Sequence, residues 1–173
     1  LDTIISLLLS NITIGFQKSI LIIGGQSMNR IERTLDLHRK GGLSCSQAIL
    51  TAFGEKVGMD QKSAKMLGRP WAGGIGHLAL TCGYLTGAVL VLAKVYDNKD
   101  EKQARQDIDT AVRELFRHFE ERRGTILCKD LLGADMTTEA GINRILEEDL
   151  VAKHCHSPGG IGQDVAEILE GLI

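Results

Sequence analysis

The sequence predicts an all-α fold, a compact multi-helix bundle. Three observations carry that expectation. After Met28 apolar residues recur at three- and four-residue spacing, with no alternating strand pattern. Only two prolines, Pro70 and Pro158, interrupt 173 residues, and each stands just ahead of a glycine-rich stretch. Segment starts carry helix-capping chemistry, as in "SCSQ", where Ser44 and Gln47 stand at capping-box spacing. At 43% apolar and 24% charged, the chain has the size and composition of one domain with an ordinary core.

Residues 1–27, "LDTIISLLLSNITIGFQKSILIIGGQS", stand apart, with only Asp2 and Lys18 charged. The run lacks the basic start and small-residue cleavage site of a secretory signal. Asn11, Gln17 and Lys18 interrupt the roughly 20 apolar residues that a spanning helix needs. Gly24 and Gly25, just ahead of Met28, are what a bacterial ribosome-binding sequence encodes in frame. On that reading Met28 is the natural start and 1–27 a translated leader; the alternative is an arm packed on the body or on a second copy. Residues 28–173 are expected to form a single all-α domain with four cysteines.

Within that domain, "NRIERTLDLHRK" spaces Ile31, Leu35 and Leu37 among charges and stops at Gly41 and Gly42. A helix follows from Cys45 to about Glu55, and Asp60 caps a short one through Leu67. The stretch 68–81, "GRPWAGGIGHLALT", reads as a glycine-rich loop; no strand precedes it and no Lys-Ser/Thr follows, so it is not a phosphate loop. From about 82 to 96 the residues are apolar nearly all round, as in a helix enclosed by others. Gly83 and Gly87 there each cost roughly 1 kcal/mol of helix propensity against Ala, so a backbone or bound group is expected close by.

The longest helix runs from about Lys102 to Arg123, with Gly124 ending it and the basic pair Arg122 and Arg123 facing its own C-terminal dipole. Thr125 opens a short helix closed by Gly133, and Thr137 or Thr138 opens another through about Leu150. The last helix follows "HCHSPGGIG" and presents Val165, Ile168, Leu169 and Leu172.

A formal net charge of −2 and 4% aromatic residues supply neither a basic face nor stacking platforms, which excludes nucleic acid as an expected partner. No membrane association is expected either.

The four cysteines, Cys45, Cys82, Cys128 and Cys155, each fall near a segment entrance. A helix N-terminus favours the thiolate, the reactive form, so the placement predicts poised sulfur. The bland alternative is that each is a small buried hydrophobe. Their separations of 37, 46 and 27 positions contain no C-x-x-C and no zinc knuckle, so the fold would have to assemble any joint site. Two disulfides, a dithiol couple with accessory thiols, or a metal centre all remain open. Without a secretory signal a cytoplasmic, reducing setting is expected, which favours redox or metal roles over permanent disulfides. His77, five positions before Cys82, is a candidate base or pKa-lowering neighbour. His154 and His156 flank Cys155, while His38 and His118 read as solvated members of charged helices.

The segments "NRIERTLDLHRKGGLSCSQAILTAF", "GGIGHLALTCGYLTGAVLVL", "FEERRGTILCKDLLG" and the last cysteine before "DVAEILEGLI" resemble the C-GCAxxG-C-C family, short proteins named for their cysteines and thought to be redox-active. The resemblance runs from about Asn29 onward. It implies that the family cysteines fall on Cys45, Cys82, Cys128 and Cys155, and that its C-G-A-x-x-G element falls on Cys82 to Gly87, with Tyr84 where members carry Ala. The function expected is a redox protein whose four cysteines converge for thiol–disulfide exchange with an unidentified redox partner, or as ligands of an iron-sulfur cluster or zinc. In the thiol version Cys82, exposed by the glycines after it, is the nucleophile and Cys45 resolves. In the metal version all four ligate, with Gly83 and Gly87 clearing space for inorganic sulfide and His77 alongside. The competing class is a non-enzymatic binding or assembly module with structural zinc or no metal, pairing as a homodimer.

Overall fold

The computed structural model describes residues 28–97 and 100–173; the leader or arm expected for 1–27 lies outside the described residues. Helix α1 (Arg30–Arg39) opens at Asn29, whose side chain accepts the Glu32 N–H while the Glu32 carboxylate accepts the Asn29 N–H. Helix α2 (Cys45–Gly54) repeats the device with Ser44 and Gln47. Asp60 caps α3 (Gln61–Gly68) through the Ser63 N–H.

These caps set α2 at the centre, where Ala48, Ile49, Leu50, Ala52 and Phe53 are buried against α1, α3 and α4 (Gly83–Val95). Helix α4 buries Tyr84, Leu85, Ala88, Val91 and Leu92, and turns Lys94 out to solvent. Gly87 is where the two helices touch: a Cβ there would come within 2.5 Å of Ile49 Cγ2 and 2.8 Å of the Ser46 carbonyl.

Helix α5 (Glu101–Arg123) starts at Asp100, which accepts the Gln103 N–H, and ends at the left-handed Gly124. Its inner stripe, Ala104, Ala111, Leu115 and Phe119, meets α4 and the last helix, α8 (Ile161–Leu172). Arg122 and Arg123 stand in the last turn of α5, as expected, and also reach across to Asp164, Arg122 to Glu167 as well, tying α5 to α8. Arg30 pairs with Glu170 at the other end of α8.

A smaller layer holds α6 (Cys128–Leu132) and α7 (Glu139–Glu147), with Cys128, Leu132, Ala134 and Leu150 as a second buried cluster. Three boundaries differ from expectation. Helix α6 begins at Cys128 rather than at Thr125, because 126–128 pair with 80–82 across an isolated antiparallel bridge, Thr81 to Leu127. The Cys82 N–H donates to the Ile126 carbonyl at 2.8 Å and the Cys128 N–H to the Leu80 carbonyl at 2.6 Å. Helix α7 stops short of Leu150, where Asp149 turns the chain at φ 51°. Val151–Cys155, which takes in His154 from the stretch read as loop around Cys155, forms one π-helical turn. Among the described residues no strand forms, and no helix is long and apolar enough to cross a membrane.

Between α3 and α4 the chain makes a 3₁₀ turn (Arg69–Trp71) and then a left-handed helical turn. Five consecutive residues, Gly73 to His77, have φ between 59° and 72°. Long-reaching bonds brace it, among them Gly76 N–H to the Pro70 carbonyl at 2.8 Å and Leu80 N–H to the Gly74 carbonyl at 3.0 Å. Ile75 and His77 each cost about 1–2 kcal/mol in this conformation, so the surrounding structure must hold them there.

Candidate redox site

Cys45 is the first residue of α2, Cys82 the N-cap of α4 and Cys128 the first residue of α6. Cys155 differs from expectation: it closes the π-helical turn instead of standing at a helix entrance. The bridge brings two of the segments together. Thr81 and Leu127 face one side of it, so Cys82 and Cys128 share the other, diagonally across the pair.

A cavity of about 360 Å³ opens between the main core and the smaller cluster. Cys45, Cys128 and Cys155 line it, with His38, His77 and apolar side chains that include Leu132, Met136 and Ile145. None of its described lining residues is Asp, Glu, Lys or Arg. Ile142 and Leu146 of α7, 45% and 73% exposed, carry the apolar wall outward. Cys82 is not on the wall. It is 4% exposed, and the glycines that follow do not uncover it.

What those glycines do is admit other groups. A Cβ on Gly83 would lie 2.5 Å from Cys45 Sγ and 2.7 Å from the Trp71 carbonyl oxygen, so the missing side chain leaves room for the Cys45 sulfur. The space beside Gly87 is filled by α2, which leaves none there for inorganic sulfide. Gly74, on the left-handed turn, has the Cys128 Cβ 2.8 Å from where its own Cβ would be. The turn is therefore moulded against the sulfur-bearing segments.

All four cysteines are free thiols, and burial raises the pKa of each. Desolvation outweighs the helix N-termini, which corrects the expectation of ready thiolates. Cys128 is pushed up to about 12. The charges also repel: ionised Cys45, Cys128 and Cys155 each disfavour a Cys82 thiolate, and Cys45 and Cys128 disfavour one at Cys155. The four sulfurs thus lie within electrostatic reach of one another. Cys45 is distinguished by what opposes its desolvation, the backbone N–H groups of Gly73, Ser46, Gly83 and its own residue. Two helix starts and the glycine-rich turn converge on that sulfur.

Tyr84, His38 and His156, none of them in the expected site set, meet here. Tyr84, fully buried, lies 2.6 Å through its hydroxyl from Nδ1 of His38, and His38 packs edge-on to His156 with ring centroids 4.9 Å apart. The Tyr84 phenol is held protonated by burial. Where the Tyr84 hydroxyl donates to His38 Nδ1, neutral His38 carries its own proton at Nε2. Desolvation, helped by His156, lowers the His38 pKa to about 4. His38 read as a solvated helix residue, yet it continues the spacing of Ile31 and Leu35, and that stripe was the available signal.

Among the described residues no three His, Cys, Asp or Glu side chains are grouped to hold one metal ion.

The family model described as "Putative redox-active protein (C_GCAxxG_C_C)" matches residues 43–171, about three quarters of the chain. The chain belongs to this family. The C-GCAxxG-C-C match takes in all four cysteines, the glycine-rich turn and helices α2 to α8; α1, and with it His38, lies outside the matched stretch. No curated protein and no solved structure matches the chain.

Proposed function

We propose that the protein carries two electrons on a dithiol–disulfide couple formed by Cys45 and Cys82. The observation that carries this reading is the placement of Cys45: on the cavity wall, packed against Gly83 beside Cys82, with four backbone N–H groups favouring its anion. The roles expected from sequence are thereby exchanged. Cys45, reachable from the cavity, is the attacking thiol, and the buried Cys82 resolves.

In the oxidised couple a dithiol partner attacks the Cys45–Cys82 bond, forms a mixed disulfide and closes its own disulfide, leaving two protein thiols. In reverse, the Cys45 thiolate attacks a disulfide, one partner thiol leaves, and Cys82 displaces the other while losing its proton. Two electrons move in either direction. Cys128 and Cys155 are accessory thiols, and each, when ionised, raises the cost of ionising Cys82.

The test is anaerobic titration of the reduced protein against a dithiothreitol redox buffer, with thiols counted after denaturation. The expected result is one two-electron transition that removes two thiols per chain, with peptide mapping that joins Cys45 to Cys82. Cys45→Ser abolishes the transition, and Cys82→Ser traps a mixed disulfide on Cys45. Four thiols persisting throughout, or a disulfide without Cys45, would overturn the assignment.

A further inference from the structure

The cavity has properties beyond holding thiols, and they constrain the oxidant. No Asp, Glu, Lys or Arg is among its described lining residues, so a charged disulfide such as glutathione disulfide meets no carboxylate, ammonium or guanidinium partner on this wall. The apolar lining continues to the exposed Ile142 and Leu146, an entrance suited to an uncharged, poorly hydrated molecule. Closing the Cys45–Cys82 disulfide releases two protons where no carboxylate is among the described lining residues, which suits an oxidant that takes up protons along with electrons. The wall does carry hydrogen-bonding imidazoles: His38, whose Nδ1 lies 2.6 Å from the Tyr84 hydroxyl and whose Nε2 carries the proton when that hydroxyl donates, and His77 on the left-handed turn.

Resting on the Cys45–Cys82 couple proposed above, we infer that the cavity receives a neutral ring-conjugated carbonyl oxidant of the quinone class, with His38 Nε2–H hydrogen-bonded to a carbonyl oxygen. The reaction balances within the site. Both S–H bonds break and one S–S bond forms. The two electrons and two protons pass to the quinone, whose two C=O groups become the C–OH groups of a hydroquinone. Reactants and products are all uncharged, which suits a wall without Asp, Glu, Lys or Arg among its described residues. His38, outside the stretch matched by the family, is then a substrate-binding residue that helps orient the ring and stabilises negative charge growing on oxygen.

The experiment uses the full chain, reduced and anaerobic, with three oxidants at equal concentration: duroquinone, whose substituted ring resists thiol addition; hydroxyethyl disulfide, uncharged; and glutathione disulfide, charged. Oxidation is read as loss of two thiols per chain, and hydroquinone by its ultraviolet absorbance. Duroquinone is expected to react at least 10-fold faster than either disulfide. His38→Ala should slow duroquinone at least 10-fold while changing the hydroxyethyl disulfide rate less than 3-fold, and His38→Gln, which retains an N–H donor, should recover part of the loss. Far-UV circular dichroism verifies that each variant is folded; should His38→Ala not fold, the wild-type rate order and His38→Gln decide. Equal or faster reaction with a disulfide, or a duroquinone rate indifferent to residue 38 in folded variants, overturns the inference. Disulfide formation with hydroxyethyl disulfide but not duroquinone defeats the quinone alone; no Cys45–Cys82 disulfide with any oxidant defeats the underlying couple.

Discussion

Gly83 occupies the tightest position in the site, between the Cys45 sulfur and the Trp71 carbonyl. One added methyl group would have to displace a helix start or the 3₁₀ turn. Gly83→Ala is expected to destabilise the protein by about 1–3 kcal/mol, as overpacking does, seen as a lower urea midpoint. It should also slow alkylation of Cys45, since Gly83 supplies one of the N–H groups favouring that thiolate. An unaltered midpoint would mean that the close packing is dispensable. His38 makes a second prediction at this scale. An unfolded histidine binds its proton near pH 6.5, whereas folded His38 does so only near pH 4. Between those values the unfolded chain holds the extra proton, so stability falls as pH drops through the window. The loss is about 2–3 kcal/mol, judged from the shift and linkage. His38→Gln should flatten that slope in urea midpoints measured from pH 7 to pH 4; a slope identical to wild type would contradict it.

The left-handed turn at Gly73 to His77 is the element on which the site's shape depends. A Cβ on Gly74 would meet the Leu80 nitrogen at 2.6 Å and the Ala79 carbonyl carbon at 2.8 Å as well as the Cys128 Cβ, at a φ of 72°. Backbone cannot swing aside as a side chain can. Gly74→Ala should therefore lower stability by about 2–4 kcal/mol, the sum of left-handed strain and overpacking. Alkylation of Cys128 in the native protein should quicken as its surroundings loosen; an unchanged melting temperature would mean that the turn is softer than its bonding indicates. This element also marks where sequence patterns stop informing. The helices were legible because Ser44 with Gln47, Asp60 and Gly124 are local signals whose partners lie within a few residues. The left-handed turn was not, since Ile75 and His77 are held at positive φ by bonds to Trp71 and Ala72 that propensity does not anticipate. The late start of α6 was hidden for a similar reason: the pairing of 126–128 with 80–82 spans more than forty residues. At the site, the cysteines were legible by type, but their protonation and the burial of Cys82 were not, because desolvation belongs to the assembled fold. His38 was obscured by the charged residues around it, although its register was present.

For the whole molecule, the proposed Cys45–Cys82 couple would crosslink segments separated by 37 positions. Chain-entropy reasoning gives such a bond about 4 kcal/mol of stabilisation, less any strain on closure. The oxidised protein should melt roughly 5–15 °C above the reduced one, at 2–4 °C per kcal/mol for a chain of this size. Calorimetry of both forms tests this, and a lower melting temperature after oxidation would show that the fold must distort to join the sulfurs. The absence of Asp, Glu, Lys and Arg from the described wall has a further consequence, for the medium. With no fixed ions in the mouth to steer an encounter, the oxidation rate should stay nearly flat as sodium chloride rises from millimolar to molar levels. Ammonium sulfate, which drives apolar solutes out of water, should instead tighten occupancy of the pocket.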